Sequence, residues 1–317
     1  MKWENRERSS NVKRGQPINN RSSSNRYNTG PSYRRGGGGY RRGPIFIPMG
    51  GGRRRGGLGS IIFLFILFFI MRGLFSVGSD VGYNDNVTHN NNTEVVTEAP
   101  AGSRARLEDF MAVVLKDTED VWHEKFAEQG ATYNEPDLIL FQGNTRSACG
   151  VANSNMGPFY CPIDQSIYVD VDFYNELTNR FGGGGDFAFA YVLAHEVGHH
   201  VQNELGILGQ TNKLRQTLSK KEYNKISVAQ ELQADYFAGL FAYYVEEKDY
   251  LDPGDIEEAM NAAAAIGDDR IQEMSGRSVN VDNFTHGSSE QRQEAFELGY
   301  KYHDIDHSMV FFDRLDY

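Results

Sequence analysis

The segment LAHEVGHHVQ, residues 193–202, restricts the possible folds and functions of this chain more than any other segment, because it places three histidines and a glutamate within six positions. On a helix, His195 and His199 are about 40° apart around the axis and about 6 Å apart along it, so both imidazoles can reach one ion. Glu196 is rotated by about 100° from His195, which keeps its carboxylate off the ion and beside a water held there. The spacing therefore favours a zinc site with a general base.

The surrounding residues predict the helix that this geometry needs. FAFAYVLAHEVGHHVQNELG consists mainly of helix formers, with Asp186 as the predicted N-cap and Gly206 as the predicted C-cap. Four glycines at 182–185 precede it, and no Lys-Ser/Thr follows them, which favours a hinge over a phosphate-binding loop. His200 adjoins the second histidine of the motif but points elsewhere on the helix.

Zinc needs a third protein ligand. A metzincin would carry glycine and histidine where this chain has Gln202 and Leu205, so that class is excluded. Further on, ISVAQELQADYFAGLFAYYV predicts an apolar helix that begins with a capping box of Ser227 and Gln230.

Two acids, Glu231 and Asp235, share one face of that apolar helix. If Glu231 completes the metal site, Asp235 lies one turn further on and can accept the free ring N–H of a ligating histidine. The alternative is that both acids face water or pair with Lys or Arg.

Cys149 and Cys161 are the only cysteines. In an exported domain, an even pair at this short separation predicts one disulfide, whereas two reduced buried thiols would require a reducing compartment. The alternation in IYVDVDF, after PFYCP, predicts a hairpin of residues 158–162 with 166–172, and its prolines suit an edge strand.

Residues 1–57 are physically unlike the rest of the chain. They contain fourteen Lys or Arg against two Glu, and they are rich in Gly, Ser and Asn. With so little to bury, this basic arm is predicted to be disordered. Arginines interleaved with tyrosines could bind nucleic acid, but contact with anionic lipid headgroups is the favoured interpretation and nucleic acid is not expected as a partner.

An uncharged apolar run, Leu58 to Met71, follows the arm and predicts one transmembrane helix over residues 58–78. The positive-inside rule then places the N-terminus in the cytoplasm and the remainder of the chain outside it, as in a single-pass membrane protein. Residues 79–103 are polar and lack periodicity, which is typical of a linker, and residues 104–317 are long enough for one domain.

Other candidates lie near the C-terminus. His286, in FTHGSSEQR, precedes a capping box of Ser288 and Gln291 and could stabilise the oxyanion of a tetrahedral intermediate. It could equally be a capping or surface histidine. Asp268 and Asp269 could bind calcium, but capping of a short helix is the simpler interpretation.

These motifs together resemble the bacterial neutral zinc metallopeptidase (YpfJ-like) family, whose site is of the gluzincin type. The resemblance implies one zinc ion per chain, with His195, His199 and Glu231 as ligands, Glu196 as general base and Asp235 as the residue that orients a ligand. It spans nearly the whole chain and rests on these stretches: MKWENRERSSNV, the Gly/Arg stretch, the apolar run, CG…MGPFYCP.D..IYVDV.F, AYVLAHEVGHHVQ, ELQAD, AIGDD and FTHGSSEQR.

The sequence thus predicts an α+β chain: a mainly helical zincin-like domain with a small antiparallel hairpin or sheet, preceded by a disordered arm and a transmembrane helix. The expected function is hydrolysis of peptide bonds in a peptide or protein substrate by a membrane-anchored zinc metallopeptidase. The alternative is a membrane-tethered, non-catalytic scaffold with a structural zinc ion, although structural zinc sites are usually closed and rich in cysteine. The sequence does not predict an oligomeric state.

Overall fold

A computed structural model describes residues 1–18, 101–174, 177 and 185–315, with the backbone alone for 101–103 and 155. The strands are β1 Val12–Arg14, β2 Asp137–Phe141, β3 Asn144–Ser147, β4 Gly150–Asn153, β5 Phe159–Cys161 and β6 Ser166–Asp170. The helices are α1 Ala101–Glu128, α2 Asp186–Glu204, α3 Ile207–Leu214, α4 Lys220–Glu247, α5 Asp255–Ala265, α6 Asp268–Met274, α7 Ser289–Tyr302 and α8 Val310–Asp313. The predicted α+β class, mainly helical with a small sheet, is confirmed.

The sheet is mixed, whereas the sequence predicted only antiparallel pairing. The strand order is β1-β2-β6-β5, in which β1–β2 and β2–β6 are parallel and β5–β6 is antiparallel. The β5–β6 pair is the predicted hairpin, and β5 forms one edge of the described sheet. Cys161 in β5 is joined to Cys149 by a disulfide, as predicted.

The core is formed where α2, α4 and α7 pack together behind the sheet. Glycines allow very close helix contacts: a Cβ at Gly239 of α4 would overlap the Phe296 carbonyl, and one at Gly299 of α7 would overlap that of Tyr236. A Cβ at Gly198, inside the HEVGH motif, would lie 3.1 Å from the backbone of Ala234. The first two contacts bring α4 against α7, and the third brings the motif helix α2 against α4, the helix that carries Glu231.

Two helices begin at residues other than those predicted from the sequence. The first residue of α2 is Asp186, and Gly185 occupies the N-cap position. The start of α4 lies seven residues before Ser227, at a capping box of Ser219 with Glu222, so the predicted box at Ser227 was wrong. Instead, Ser227 lies inside the helix, where its hydroxyl donates to the Tyr223 carbonyl one turn earlier. Serine side chains hydrogen-bond to nearby backbone groups both at helix N-caps and within helices, so the residue type alone did not distinguish the two.

The predicted arm at residues 1–57 needs correction at its start. Residues 1–18 are folded onto the domain, where β1 hydrogen-bonds beside β2 and Trp3 is buried. Their composition is poor in apolar residues, but their partners are supplied by distant parts of the chain. The remaining arm and most of the predicted linker lie outside the described residues.

The predicted single-pass localisation is also corrected. Across the residues that the structure describes, no helix combines the length and apolarity needed to cross a bilayer. Moreover, a single crossing between residues 18 and 101 would put β1 and β2 on opposite sides of the membrane, yet they are hydrogen-bonded neighbours. The apolar run Leu58 to Met71 itself lies outside the described residues.

Candidate metal centre

Three side chains on α2 and α4 converge on one point. The candidate ligand atoms of His195, His199 and Glu231 all lie within 4.8 Å of one another. His195 Nε2 is 3.3 Å from Glu231 Oε2, and His199 Nε2 is 3.6 Å from Glu231 Oε1. Tetrahedral zinc with bonds of about 2.0–2.1 Å separates its ligand atoms by about 3.4 Å. The two-nitrogen, one-oxygen set therefore fits a zinc ion in both spacing and chemistry.

Asp235, one turn beyond Glu231, lies behind the first histidine. Its Oδ1 is 2.8 Å from Nδ1 of His195, and it also accepts hydrogen bonds from Tyr191 Oη at 2.5 Å and Arg292 Nη2 at 2.9 Å. Because a carboxylate only accepts, His195 carries its proton on Nδ1 and turns Nε2 toward the cluster. Asp235 thus lies beside His195, the first of the candidate ligands.

The second histidine is held by a different residue. Gln202 Oε1 lies 2.9 Å from Nδ1 of His199, and Gln202 Nε2 donates to the Gln230 carbonyl and to Gln233 Oε1. The amide oxygen is an acceptor, so the Nε2 of His199 is also left facing the cluster. The sequence analysis used Gln202 only to exclude a metzincin. Its i+3 spacing from His199 on the same helix was the signal for this contact.

Glu196 lies next to the cluster and beside the edge strand β5. It is buried, and burial raises the pKa of its carboxyl, although the neighbouring His199 and His195 charges oppose the shift. A hydrogen bond from the Tyr160 backbone also reaches Glu196. The general-base candidate therefore lies between the metal cluster and the sheet edge.

His200 joins the same strand to α2. Its Nε2 lies 2.6 Å from the Asn134 carbonyl and must donate, so Nδ1 accepts from the Tyr160 hydroxyl at 3.0 Å. Burial lowers the pKa of this imidazole, consistent with a neutral ring. His200 thus holds β5 against the motif helix and is not part of the metal cluster.

His286 lies close enough to Glu231 for their charges to interact. Burial alone would lower the pKa of His286, but the charges of Glu231 and Asp268 outweigh it and raise the pKa. Its Nδ1 lies 3.3 Å from Asp268 Oδ1. Asp268 Oδ2 accepts the backbone N–H groups of Thr285, His286 and Gly287, so one carboxylate holds the whole turn.

The remaining predicted residues have structural partners. Asp269 accepts from the backbone and hydroxyl of Ser289. Ser288 and Gln291 form the predicted capping box of α7. Asp268 and Asp269 both begin the short helix α6, but they tie it to residues 285–289 rather than only capping it.

Charges compensate one another throughout the buried site. Burial alone would raise the pKa of Glu231, yet His199, His286 and His195 lower it well below its usual range. Burial likewise opposes ionisation of Asp235, and Arg292 and His195 lower its pKa. Arg292 is the charge that the sequence analysis missed, since it comes from α7 and no local pattern links it to ELQAD.

Comparisons with known proteins place the chain among zinc metallopeptidase sequences. A family model described as "Putative neutral zinc metallopeptidase" matches residues 1–311. The uncharacterized protein YpfJ of Escherichia coli (strain K12) is 48% identical over 191 residues, which cover 60% of this chain and 67% of that protein. The uncharacterized protein Rv2575 of Mycobacterium tuberculosis is 46% identical over 180 residues, 53% of this chain and 60% of that protein. No solved structure matches the chain significantly.

Proposed function

The chain belongs to the neutral zinc metallopeptidase family, and from this membership we propose that it is a zinc-dependent endopeptidase with His195, His199 and Glu231 as metal ligands. The observation that carries the proposal is the convergence of these three side chains beside a buried, unligated glutamate. A structural zinc site has no need of that fourth residue. When bound, zinc would polarise the scissile carbonyl and lower the pKa of a coordinated water.

Glu196 is proposed as the general base. Its raised pKa brings it closer to the range in which a carboxylate can both accept a proton from water and return it to the leaving amine. Burial keeps bulk water from competing for that proton. His286, held by Asp268, is proposed to donate a hydrogen bond to the oxyanion that forms on the substrate.

The substrate is proposed to be a peptide or protein segment that lies extended along β5, the edge strand of the described sheet. The Tyr160 backbone is adjacent to Glu196, so a strand added there would pass the general base. An added strand gains affinity from main-chain hydrogen bonds, as in other cases of β-augmentation.

Replacement of Glu196 by Gln tests the proposal. The variant should retain zinc, measured by elemental analysis, and lose about 10²–10⁴-fold in hydrolysis of a quenched fluorescent peptide library. Glu124→Gln, an exposed change on α1, is the matched control and should keep full activity. Equal hydrolysis by wild type and Glu196→Gln would refute the assignment, and absence of hydrolysis with zinc bound in wild type would favour a non-catalytic role.

A further inference from the structure

Residues 1–18, here called the docking segment, lie on an acidic groove formed by α1, β2 and the turn between α4 and α5. Each of the five Lys and Arg residues of the segment pairs with a carboxylate of this groove. The pairs are Lys2–Asp249, Arg6–Asp117, Arg8–Asp109, Lys13–Asp137 and Arg14–Glu108. Such complete pairing specifies the register of a basic peptide, even though exposed pairs contribute little affinity individually.

The first three residues anchor the segment. Trp3 is 8% exposed, packs edge-on against Phe110 at 5.6 Å, and donates from Nε1 to Asp186 Oδ2 at 3.2 Å. The amino group of Met1 lies 3.2 Å from Asp255 Oδ2 and 3.4 Å from Asp252 Oδ2. A buried tryptophan surrounded by charge pairs is the usual composition of a binding hot spot.

Main-chain hydrogen bonds complete the contact. β1 adds to the sheet in parallel beside β2, with Leu138 N–H donating to the Asn11 carbonyl and Gly15 N–H donating to the Leu140 carbonyl. Further back, Ser9 N–H donates to the Ala112 carbonyl of α1. This is the mode by which extended peptides bind an exposed sheet edge.

The residues at the two ends of the intervening chain both contact the turn between β2 and β3. The Ile18 N–H donates to Asn144 Oδ1 at 2.9 Å, and Arg104 Nη1 donates to Gln142 Oε1 at 2.8 Å. A covalent link joins residue 18 to residue 104, and both of these residues contact the same turn. The contribution of this link is to raise the local concentration of the segment, as a linker does between two binding partners.

We propose that this acidic groove is a binding site for a basic peptide with a tryptophan near its N-terminus, which residues 1–18 occupy as a separable ligand. The groove retains the segment without a covalent connection and exchanges it for a second copy of the same peptide. Because Trp3 contacts Asp186, the first residue of α2, the occupied groove also supports the start of the helix that carries the metal motif.

The test uses the full chain with a protease site inserted between residues 79 and 100. After cleavage, the released N-terminal fragment should coelute with the domain on size exclusion. A fluorescently labelled synthetic peptide of residues 1–18 should exchange into the groove, measured by anisotropy, and its affinity should weaken as salt is raised. A Trp3→Ala peptide should bind at least about ten-fold more weakly, whereas Arg8→Ala, which removes an exposed pair, should change affinity less than about three-fold.

Three results would overturn the proposal. In the first, the fragment separates from a still folded domain and the peptide fails to bind at a concentration on the order of 100 μM. In the second, a scrambled peptide of equal composition binds as well as the native one, which would reduce the interaction to non-specific charge attraction. In the third, the cleaved protein unfolds on dilution, which would mean that the groove does not exist as a preformed site.

Discussion

Asp235 Oδ1 lies 2.8 Å from His195 Nδ1 and also accepts hydrogen bonds from Tyr191 and Arg292. One carboxylate oxygen thus receives three donors from α2 and α7, while the other oxygen has no hydrogen-bond partner among the described residues. The orientation of the first candidate ligand is therefore decided by a residue that does not touch the metal position itself.

Asp235→Asn is expected to weaken zinc binding by about 10–100-fold, because a carboxamide is a poorer acceptor for the His195 ring and leaves the Arg292 charge unpaired. Zinc affinity should be measured by competition with a chromogenic chelator. Asp306→Asn, an exposed change, serves as the control and should bind zinc as wild type does. Unchanged affinity in Asp235→Asn would show that the orienting contact is not needed.

Arg292→Met is expected to lower the free energy of unfolding by about 3–5 kcal/mol, because Asp235 would remain as a buried charge without its cationic partner. Denaturant unfolding of the metal-free protein measures the change. In the Asp235→Leu background, Arg292→Met should lower the free energy of unfolding much less, because the double variant has neither of the two buried charges. Equal costs in the two backgrounds would mean that Arg292 contributes through packing alone.

Zinc binding is expected to release about one proton from His195 near pH 7. Burial alone would lower the pKa of His195, but Asp235 and Glu231 outweigh it and raise the pKa to about 10 in the metal-free site. The raised pKa means that this group stabilises the metal-free fold fully below about pH 6.5, and that the contribution is lost as pH rises through about 10. Zinc affinity should accordingly rise with pH over the same range.

Calorimetry in two buffers with different ionisation enthalpies counts that proton directly. The Asp235→Asn variant provides the comparison, because removal of its charge lowers the pKa of His195 and should reduce the number of protons released. A buffer-independent binding enthalpy in the wild-type protein would contradict the expectation.

His286→Gln is expected to lower kcat by about 10²–10³-fold while KM and zinc content change little, as for loss of a donor to a developing oxyanion. Steady-state kinetics on a peptide identified from the library gives kcat and KM separately. His123→Gln, on the exposed face of α1, is the matched control. A rise in KM at constant kcat would instead assign His286 to substrate binding.

Removal of the disulfide is expected to cost about 3 kcal/mol of unfolding free energy, the value that chain entropy gives for a loop of this length. The double variant Cys149→Ser/Cys161→Ser should also raise KM, since Cys161 adjoins Tyr160 on the strand proposed to receive substrate. Thermal unfolding of wild type with and without a dithiol reductant should reproduce the loss. An unchanged KM would indicate that β5 is held well enough by His200.

Much of the geometry of the candidate metal centre could be predicted, because each half of it lies within a single helix. The interval from His195 to His199, and that from Glu231 to Asp235, each span one helical turn, so periodicity alone gives the shared face. The disulfide, the hairpin edge and the capping box at Ser288 are likewise short-range features. The contact of Gln202 with His199, which the sequence analysis did not assign, could also have been predicted, because the two residues are three positions apart on one helix.

The tertiary structure alone decided the contacts that join distant segments. Arg292 reaches Asp235 from a helix 57 residues further along, and His286 finds Asp268 because two separate turns meet. Trp3 and its basic neighbours lack local signs of folding because their partners lie more than 90 residues away. Local sequence fixes which side chains share a face, whereas helix and strand packing fixes which faces meet, and the buried charges around the site belong to the second class.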